Sequence, residues 1–108
     1  MEPISRESIK QHVMEQFELE VEDAEEVLSA YAVSLKETLE HLFTLMKQGD
    51  GNEAGRQAHT LKGSLLNLGL DQLAAVALIL EKELPVQIES KHHESARQLR
   101  HALRDFIA

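Results

Sequence analysis

The sequence predicts an all-α protein, an antiparallel up-down four-helix bundle with an additional short N-terminal helix. Apolar residues recur at steps of three and four, and no segment shows the alternation of apolar and polar residues that is typical of a strand. Breaks at Gly49, Gly69 and Pro85, together with the capping pattern at Asp23, divide the chain into five such segments. Four amphipathic helices joined by short turns can bury their apolar sides only against one another. We therefore expect one domain over residues 1–108, with the short helix in residues 1–19 and the bundle in residues 20–108.

The first two helices follow from their apolar residues and from one capping pattern. The first runs from about Ser5 to Phe17, and its shortness suggests that it covers one end of the bundle. Asp23 and Glu26 have the spacing of a capping box, which predicts the start of the second helix, and Gly49 predicts its end. The apolar stripe of the second helix consists of Leu28, Tyr31, Leu35, Leu39, Leu42 and Met46.

The remaining three helices are bounded by caps and breaks. Asp50 can cap the third helix, which ends at Gly69. Asp71 can cap the fourth, which Pro85 terminates, and the fifth runs from about residue 88 to residue 107. The fourth helix carries more apolar residues than one buried stripe requires. We expect the extra ones to pack against the first or third helix rather than to form a second docking surface: Ala75, Leu78 and Ile79.

The composition excludes several classes of function. The chain has no cysteine, which excludes disulfides, thiol catalysis and zinc–thiolate sites. Its net charge of −8 argues against a nucleic acid partner, because phosphate backbones require a basic face. The first residues lack a signal-peptide pattern, and the longest apolar run is less than half of a membrane span. We therefore expect a monomeric, cytoplasmic protein without direct membrane insertion.

The polar side of the third helix carries a histidine with cationic residues and glycines one turn before and after it. Lys62 and Gly63 lie one turn after His59, and Gly55 and Arg56 lie one turn before it. We expect His59 to face water, with two cations beside it and a glycine on either flank. A glycine in a helix interior costs roughly 1 kcal/mol relative to alanine, so Gly63 should bring an offsetting gain.

The chemistry that this arrangement supports is limited by what the sequence lacks. No glycine-rich nucleotide loop and no serine–acid–histidine arrangement occurs, so we expect no cofactor and no ATP-dependent activity of the chain's own. His59 is therefore suited to react with a group that a partner presents. Phosphoryl transfer fits this description, because its catalysis is largely positioning and charge neutralisation.

The segment AHTLKGSLLNLG resembles the signature of histidine phosphotransfer (HPt) domains, the intermediates of His–Asp phosphorelays. That pattern is a histidine, two residues, Lys-Gly, a small residue and a glycine that closes the helix. Here these positions are His59, Lys62, Gly63, Ser64 and Gly69. The resemblance covers residues 20–84 well and extends to the chain ends only as generic helix.

The resemblance implies roles for individual residues and for partners. His59 would receive the phosphoryl group on Nε2, and Lys62 would stabilise the phosphoryl oxygens. Gly63 would leave room for the partner's receiver domain, and we expect Arg56 and Gly55 to be further docking residues. Leu66 stands where the family often has a small residue, and it is either a docking contact for the receiver or an exposed apolar residue without a role. The implied partners are response-regulator receiver domains and a hybrid sensor histidine kinase.

Other interpretations fit the sequence less well. A helical bundle that binds receiver domains or kinases without phosphotransfer would not need the intact set of His59, Lys62 and Gly63. A di-iron bundle needs an E-x-x-H motif on each of two helices, and Glu89 with His92 is the only one, so we expect no metal and a partly buried His92. The dimerisation domain of a histidine kinase usually has an acidic residue after its histidine, where this chain has Thr60.

Overall fold

The computed structural model describes residues 4–108, which form five α-helices and no strand. The helices are α1 (Arg6–Phe17), α2 (Val21–Lys47), α3 (Gly51–Asn67), α4 (Asp71–Glu83) and α5 (Ser90–Ile107). The expected all-helical fold is confirmed, and each of the five expected helices has a counterpart. Residues 1–3, part of the expected N-terminal segment, lie outside the described residues.

Helices α2 to α5 build the core by packing side by side. α3 packs most extensively against α4 and next against α2, while α5 contacts both α2 and α4. Most of the large buried side chains are leucines, joined by Phe106 from α5. Each fully buried leucine contributes about 1.5–3 kcal/mol relative to an exposed one, so this shared apolar interior is the main source of stability. The packing fixes α3 between α2 and α4 and leaves one of its faces outside.

α1 lies across one end of these helices. It packs on α2, and the backbone N–H of Ile4 donates to the carbonyl oxygen of Ala102 in α5 at 2.9 Å. The ring of His12 occupies the space that a Cβ at Gly69 would take, in the turn between α3 and α4. Gly69 also has a φ of 76°, which side chains other than glycine rarely adopt. Its conformation therefore favours glycine, and a larger residue there would also have to displace the ring of His12.

The start of α3 agrees with the sequence prediction. The Oδ1 atom of Asp50 accepts a hydrogen bond from the backbone N–H of Glu53 at 3.2 Å. This bond satisfies one of the N–H groups that a helix start leaves without a partner. The predicted Asp50 cap is confirmed, and it sets the residue at which α3 begins.

The expected starts of α2 and α4 are wrong. α2 begins at Val21, two residues before Asp23, and α4 begins at Asp71 itself. The preceding residues, Glu20 and Leu70, make no side-chain capping hydrogen bond. Asp23 and Asp71 instead lie in first turns, where a carboxylate interacts favourably with the helix dipole. A cap and a first-turn acid use the same residue type, so the sequence pattern did not separate them.

α5 begins at Ser90 with a cap that uses a histidine. The backbone N–H of Glu89 donates to Nδ1 of His92 at 2.9 Å, one half of a reciprocal capping box. The Nε2 atom of His92 lies 2.8 Å from Oε1 of Glu83 in the last turn of α4. His92 is only 2% exposed, which is more complete burial than the sequence predicted. Both ring nitrogens are therefore engaged in joining α4 to α5.

The expected packing of the extra apolar residues of α4 is largely wrong. Ala75 is exposed, Ile79 is 50% exposed, and Leu78 is half-buried. α4 buries one stripe against α3 and α5 and leaves these side chains at its edge and outside, because α1 lies across the end of the bundle and not along α4.

Glu25 of α2 connects α1 to the bundle through two ion pairs. One carboxylate oxygen lies 3.0 Å from Nζ of Lys10, and the other lies 3.1 Å from the guanidinium of Arg6. The hydrogen bonds from Lys10 and then from Arg6 lower the pKa of Glu25 from its usual 4.5. A carboxyl whose pKa is lowered by folding stabilises the folded state at pH values above the pKa that the group has in the unfolded chain. That contribution is lost as the pH falls through the folded pKa.

We expect Glu25→Gln to lower the melting temperature near neutral pH, because glutamine loses both ion pairs. The difference between wild type and variant should shrink steadily as the pH falls below 4.5, where Glu25 itself becomes protonated. Thermal melts of both proteins between neutral pH and about pH 3 test this. A difference that stays constant across that range would show that the ion pairs are not its cause.

Candidate functional site

His59 lies on the outer face of α3. Its neighbours Ala58 and Leu61 are fully buried, which sets the rotation of the helix about its axis. The imidazole points the other way, and 67% of its side chain is exposed. His59 therefore faces water, as its place on the polar side of the third helix predicted.

A carboxylate from α4 contacts both polar side chains of the site. The Oε1 atom of Glu81 lies 3.0 Å from Nδ1 of His59 and 2.8 Å from Nζ of Lys62. The close packing of α3 on α4 brings the three side chains together. Lys62 is only 21% exposed and reaches from α3 to the carboxylate on α4. His59, Lys62 and Glu81 form what we call the His59 cluster.

The His59 cluster determines which nitrogen of the neutral His59 ring carries the proton. The hydrogen bond from Lys62 lowers the pKa of Glu81, and the hydrogen bond from His59 lowers it further, so the carboxylate is ionised at neutral pH. An ionised carboxylate only accepts hydrogen bonds, and the proton of a neutral ring must therefore sit on Nδ1. The lone pair is then on Nε2, for which the described residues provide no hydrogen-bond partner. In the neutral ring, Nε2 is therefore the nitrogen with a free lone pair, on a side chain that is largely exposed.

Two positions on the exposed side of α3 leave room for a large partner. A Cβ at Gly63 would meet no atom within 4 Å, so the surface one turn from His59 is open. Leu66 lies about two turns from His59 and is 50% exposed. The exposed surface of α3 thus combines a reactive ring, a bare stretch of backbone and one apolar side chain.

Gly55 and Arg56, the two expected docking residues before His59, lie in different surroundings, and the docking role of Arg56 stays a prediction. The expectation for Gly55 as an exposed flank is wrong, because the residue is buried where α3 meets the end of α4. A Cβ there would lie 2.8 Å from Cγ of Pro85 and 3.2 Å from the carbonyl oxygen of Glu81. Arg56 is exposed, but its guanidinium pairs with Glu53 on the preceding turn. Of the two expected cations, Lys62 is the one that contacts the His59–Glu81 pair.

Glu81 is the residue of the candidate site that sequence reasoning missed. It falls within residues 20–84, which the resemblance covers well, but the sequence analysis assigned it no role. It lies 22 residues from His59, on another helix. A signal existed in principle, because Glu81 is a polar residue next to the buried Leu80 near the end of α4. Which polar residue of α4 would face His59 depends on how the two helices are aligned.

Two further properties bear on function. Within residues 4–108, no three histidine or acidic side chains are grouped closely enough to hold a metal ion. Over the same residues, none of the helices has the length and apolar character needed to cross a membrane.

Comparison with known proteins gives the family. The model of the Hpt domain family matches residues 12–108. The match covers nearly the whole chain, and the chain belongs to this family. Searches of curated proteins and of solved structures found no match. Membership of the Hpt domain family implies involvement in a His–Asp phosphorelay, in which such domains interact with receiver domains.

Proposed function

We propose that this chain is a histidine-containing phosphotransfer protein. His59 accepts a phosphoryl group from an aspartate of one receiver domain and donates it to an aspartate of another. The observation that carries the proposal is the contact of one Glu81 oxygen with both Nδ1 of His59 and Nζ of Lys62. In the neutral ring, this contact holds the proton on Nδ1 and leaves the lone pair on Nε2, while the same carboxylate oxygen holds the ammonium of Lys62 beside the ring. A module that only bound receiver domains would not need such an arrangement.

The transfer step uses the His59 tautomer that has its proton on Nδ1 and its lone pair on Nε2. The lone pair on Nε2 of His59 forms a bond to the phosphorus of an aspartyl phosphate. The bond between phosphorus and the aspartate oxygen breaks, and its electron pair stays on the aspartate carboxylate. Nδ1 keeps its proton, which remains hydrogen-bonded to Glu81. Donation is the reverse step, so the chain carries the group without ATP and without kinase activity of its own.

The surroundings of His59 suit a receiver domain as the partner. The receiver must bring its aspartate to within bonding distance of Nε2, and the open surface at Gly63 allows that approach. The exposed Leu66 provides an apolar contact two turns away. Lys62 lies one turn from His59 and neutralises charge on the phosphoryl oxygens during transfer.

We also propose the arrangement in which this function is performed. The connections between α2 and α3 and between α3 and α4 are three residues long, which favours the antiparallel up-down order for neighbouring helices. The chain acts as a single, monomeric domain in the cytoplasm. A hybrid sensor histidine kinase supplies the phosphoryl group through its receiver domain.

Transfer from isolated receiver domains tests the proposed function. Receiver domains are phosphorylated with radiolabelled acetyl phosphate, freed of the reagent and mixed with this chain. We expect label to move to the chain from at least one receiver and to be acid-labile and base-stable, as phosphohistidine is. Label that resists acid would assign the phosphoryl group to a hydroxyl side chain and would contradict the proposal.

We expect Lys62→Ala to slow the transfer by about tenfold or more, because it removes charge neutralisation in the transition state. Arg56→Ala should change the rate by less than about twofold, since Arg56 is already paired with Glu53 on the preceding turn. Transfer time courses measure both rates, and circular dichroism confirms that both variants fold. Equal rates for wild type and both variants would mean that the receiver supplies all of the positive charge.

A further inference from the structure

The lysine that assists transfer is already engaged before any phosphoryl group arrives. In the unloaded chain, Nζ of Lys62 lies 2.8 Å from Oε1 of Glu81, and Nδ1 of His59 lies 3.0 Å from the same oxygen. Lys62 and Glu81 are both largely covered, with 21% and 25% of their side chains exposed. A phosphoryl group on His59 must therefore compete with a carboxylate for this ammonium.

The charges of the cluster show why the competition matters. Before transfer, the charges of Lys62 and Glu81 cancel, and the form of the His59 ring that can react is the neutral one. After transfer, the phosphoryl group on Nε2 carries two negative charges, and the ring, which keeps its proton on Nδ1, carries one positive charge. The phosphoryl oxygens and the carboxylate of Glu81 then compete for the one ammonium of Lys62. The ammonium is a compact charge on a flexible stem of four carbons, and Lys62 is one turn from His59, so it can reach either anion.

We propose that Lys62 changes partner when His59 is loaded, from Oε1 of Glu81 to the phosphoryl oxygens, and that the charge of Glu81 draws it back. This inference rests on the proposed function. Glu81 is then a positioning residue that acts through Lys62 to shorten the lifetime of phosphorylated His59. The competition keeps the loaded state reactive, which suits a carrier that must give its phosphoryl group up.

Discharge of phosphorylated His59 needs no reactant besides the group that accepts the phosphoryl group. An oxygen of the receiving aspartate, or of water, forms a bond to phosphorus. The bond between phosphorus and Nε2 breaks, and its electron pair returns to Nε2. Nδ1 keeps its proton throughout, and the ammonium of Lys62 returns to Glu81.

The experiment measures the lifetime of phosphorylated His59 in four proteins: wild type, Glu81→Gln, Lys62→Ala and the double variant. Each is loaded with phosphoramidate, whose bond between phosphorus and nitrogen breaks so that ammonia leaves and phosphorus bonds to Nε2. The reagent is then removed, and decay is followed through the ring signals of His59 in NMR spectra. Glutamine keeps an oxygen that can accept from Nδ1 and removes only the charge.

We expect Glu81→Gln to lengthen the lifetime by about two- to fivefold, the range that an ion pair of this exposure supports. In the Lys62→Ala background the same substitution should have no effect, because the residue through which Glu81 acts is absent. Glu53→Gln is the matched control, since it breaks the nearby pair with Arg56 and should leave the lifetime unchanged.

The outcomes separate this inference from the proposed function. A lifetime unchanged or shortened by Glu81→Gln, or lengthened equally with and without Lys62, overturns the exchange of partners. Loading by phosphoramidate needs no receiver, so the four lifetimes can be measured even if no receiver domain transfers its group to His59. Failure of receiver transfer would contradict the proposed function alone.

Discussion

Replacing His59 by glutamine should abolish phosphorylation by receiver domains and leave the fold intact. The side chain is 67% exposed, and surface substitutions of this kind usually change stability by no more than about 0.5 kcal/mol. Glutamine can still donate a hydrogen bond to Glu81, but it has no nucleophilic nitrogen. Transfer assays with labelled receiver domains measure the loss, and circular dichroism measures the fold.

His41→Gln is the matched control for this substitution. His41 is also an exposed histidine within a helix, α2, and it has no contact with the His59 cluster. We expect this variant to accept the phosphoryl group at the wild-type rate. Label retained in His59→Gln, or lost in His41→Gln, would place the reaction on another residue.

The second large effect concerns Gly63. We expect Gly63→Gln to slow transfer by about tenfold or more, because atoms added one turn from His59 hold the receiver away from Nε2. Gly63→Ala should impair transfer less, and it should raise the free energy of unfolding by about 0.5–1 kcal/mol, since a Cβ there meets no neighbouring atom. A transfer time course and a denaturation curve for each variant test both effects.

Gly55→Ala is the contrasting variant on the same helix. Its Cβ would lie 2.8 Å from Cγ of Pro85, so α4 and the following turn must shift to accept it. We expect a loss of about 1–2 kcal/mol in the free energy of unfolding, because this overlap outweighs the gain in helix propensity. If Gly63→Ala proved the more destabilising of the two, the rotation of α3 described above would be wrong.

The helices of this chain were predictable because their signals are local. The spacing of apolar residues depends only on the helical period, and it indicated all five helices. The starts of α2 and α4 were not predictable, because Asp23 and Asp71 satisfy the same residue preferences in a first turn as in a cap. Ile79 is exposed because α1 does not pack over it, and the sequence of α4 alone does not specify where α1 lies.

The site was predictable on α3 and not beyond it. His59, Lys62 and Gly63 share one helix, so their common face follows from sequence spacing alone. Gly55, like Gly63, is a glycine one turn from His59, but it is buried against Pro85. Glu81 could not be assigned, because its contacts depend on the alignment of α4 along α3. Contacts between helices require the tertiary structure.

The most direct test of the central claim is to identify which nitrogen carries the phosphoryl group. Nitrogen-15 NMR of the chain after transfer from a receiver distinguishes the two ring nitrogens of each histidine. We predict one phosphorylated residue, His59, with the phosphoryl group on Nε2 and a proton retained on Nδ1 beside Glu81. A phosphoryl group on Nδ1 of His59, or on any other histidine, would contradict the account.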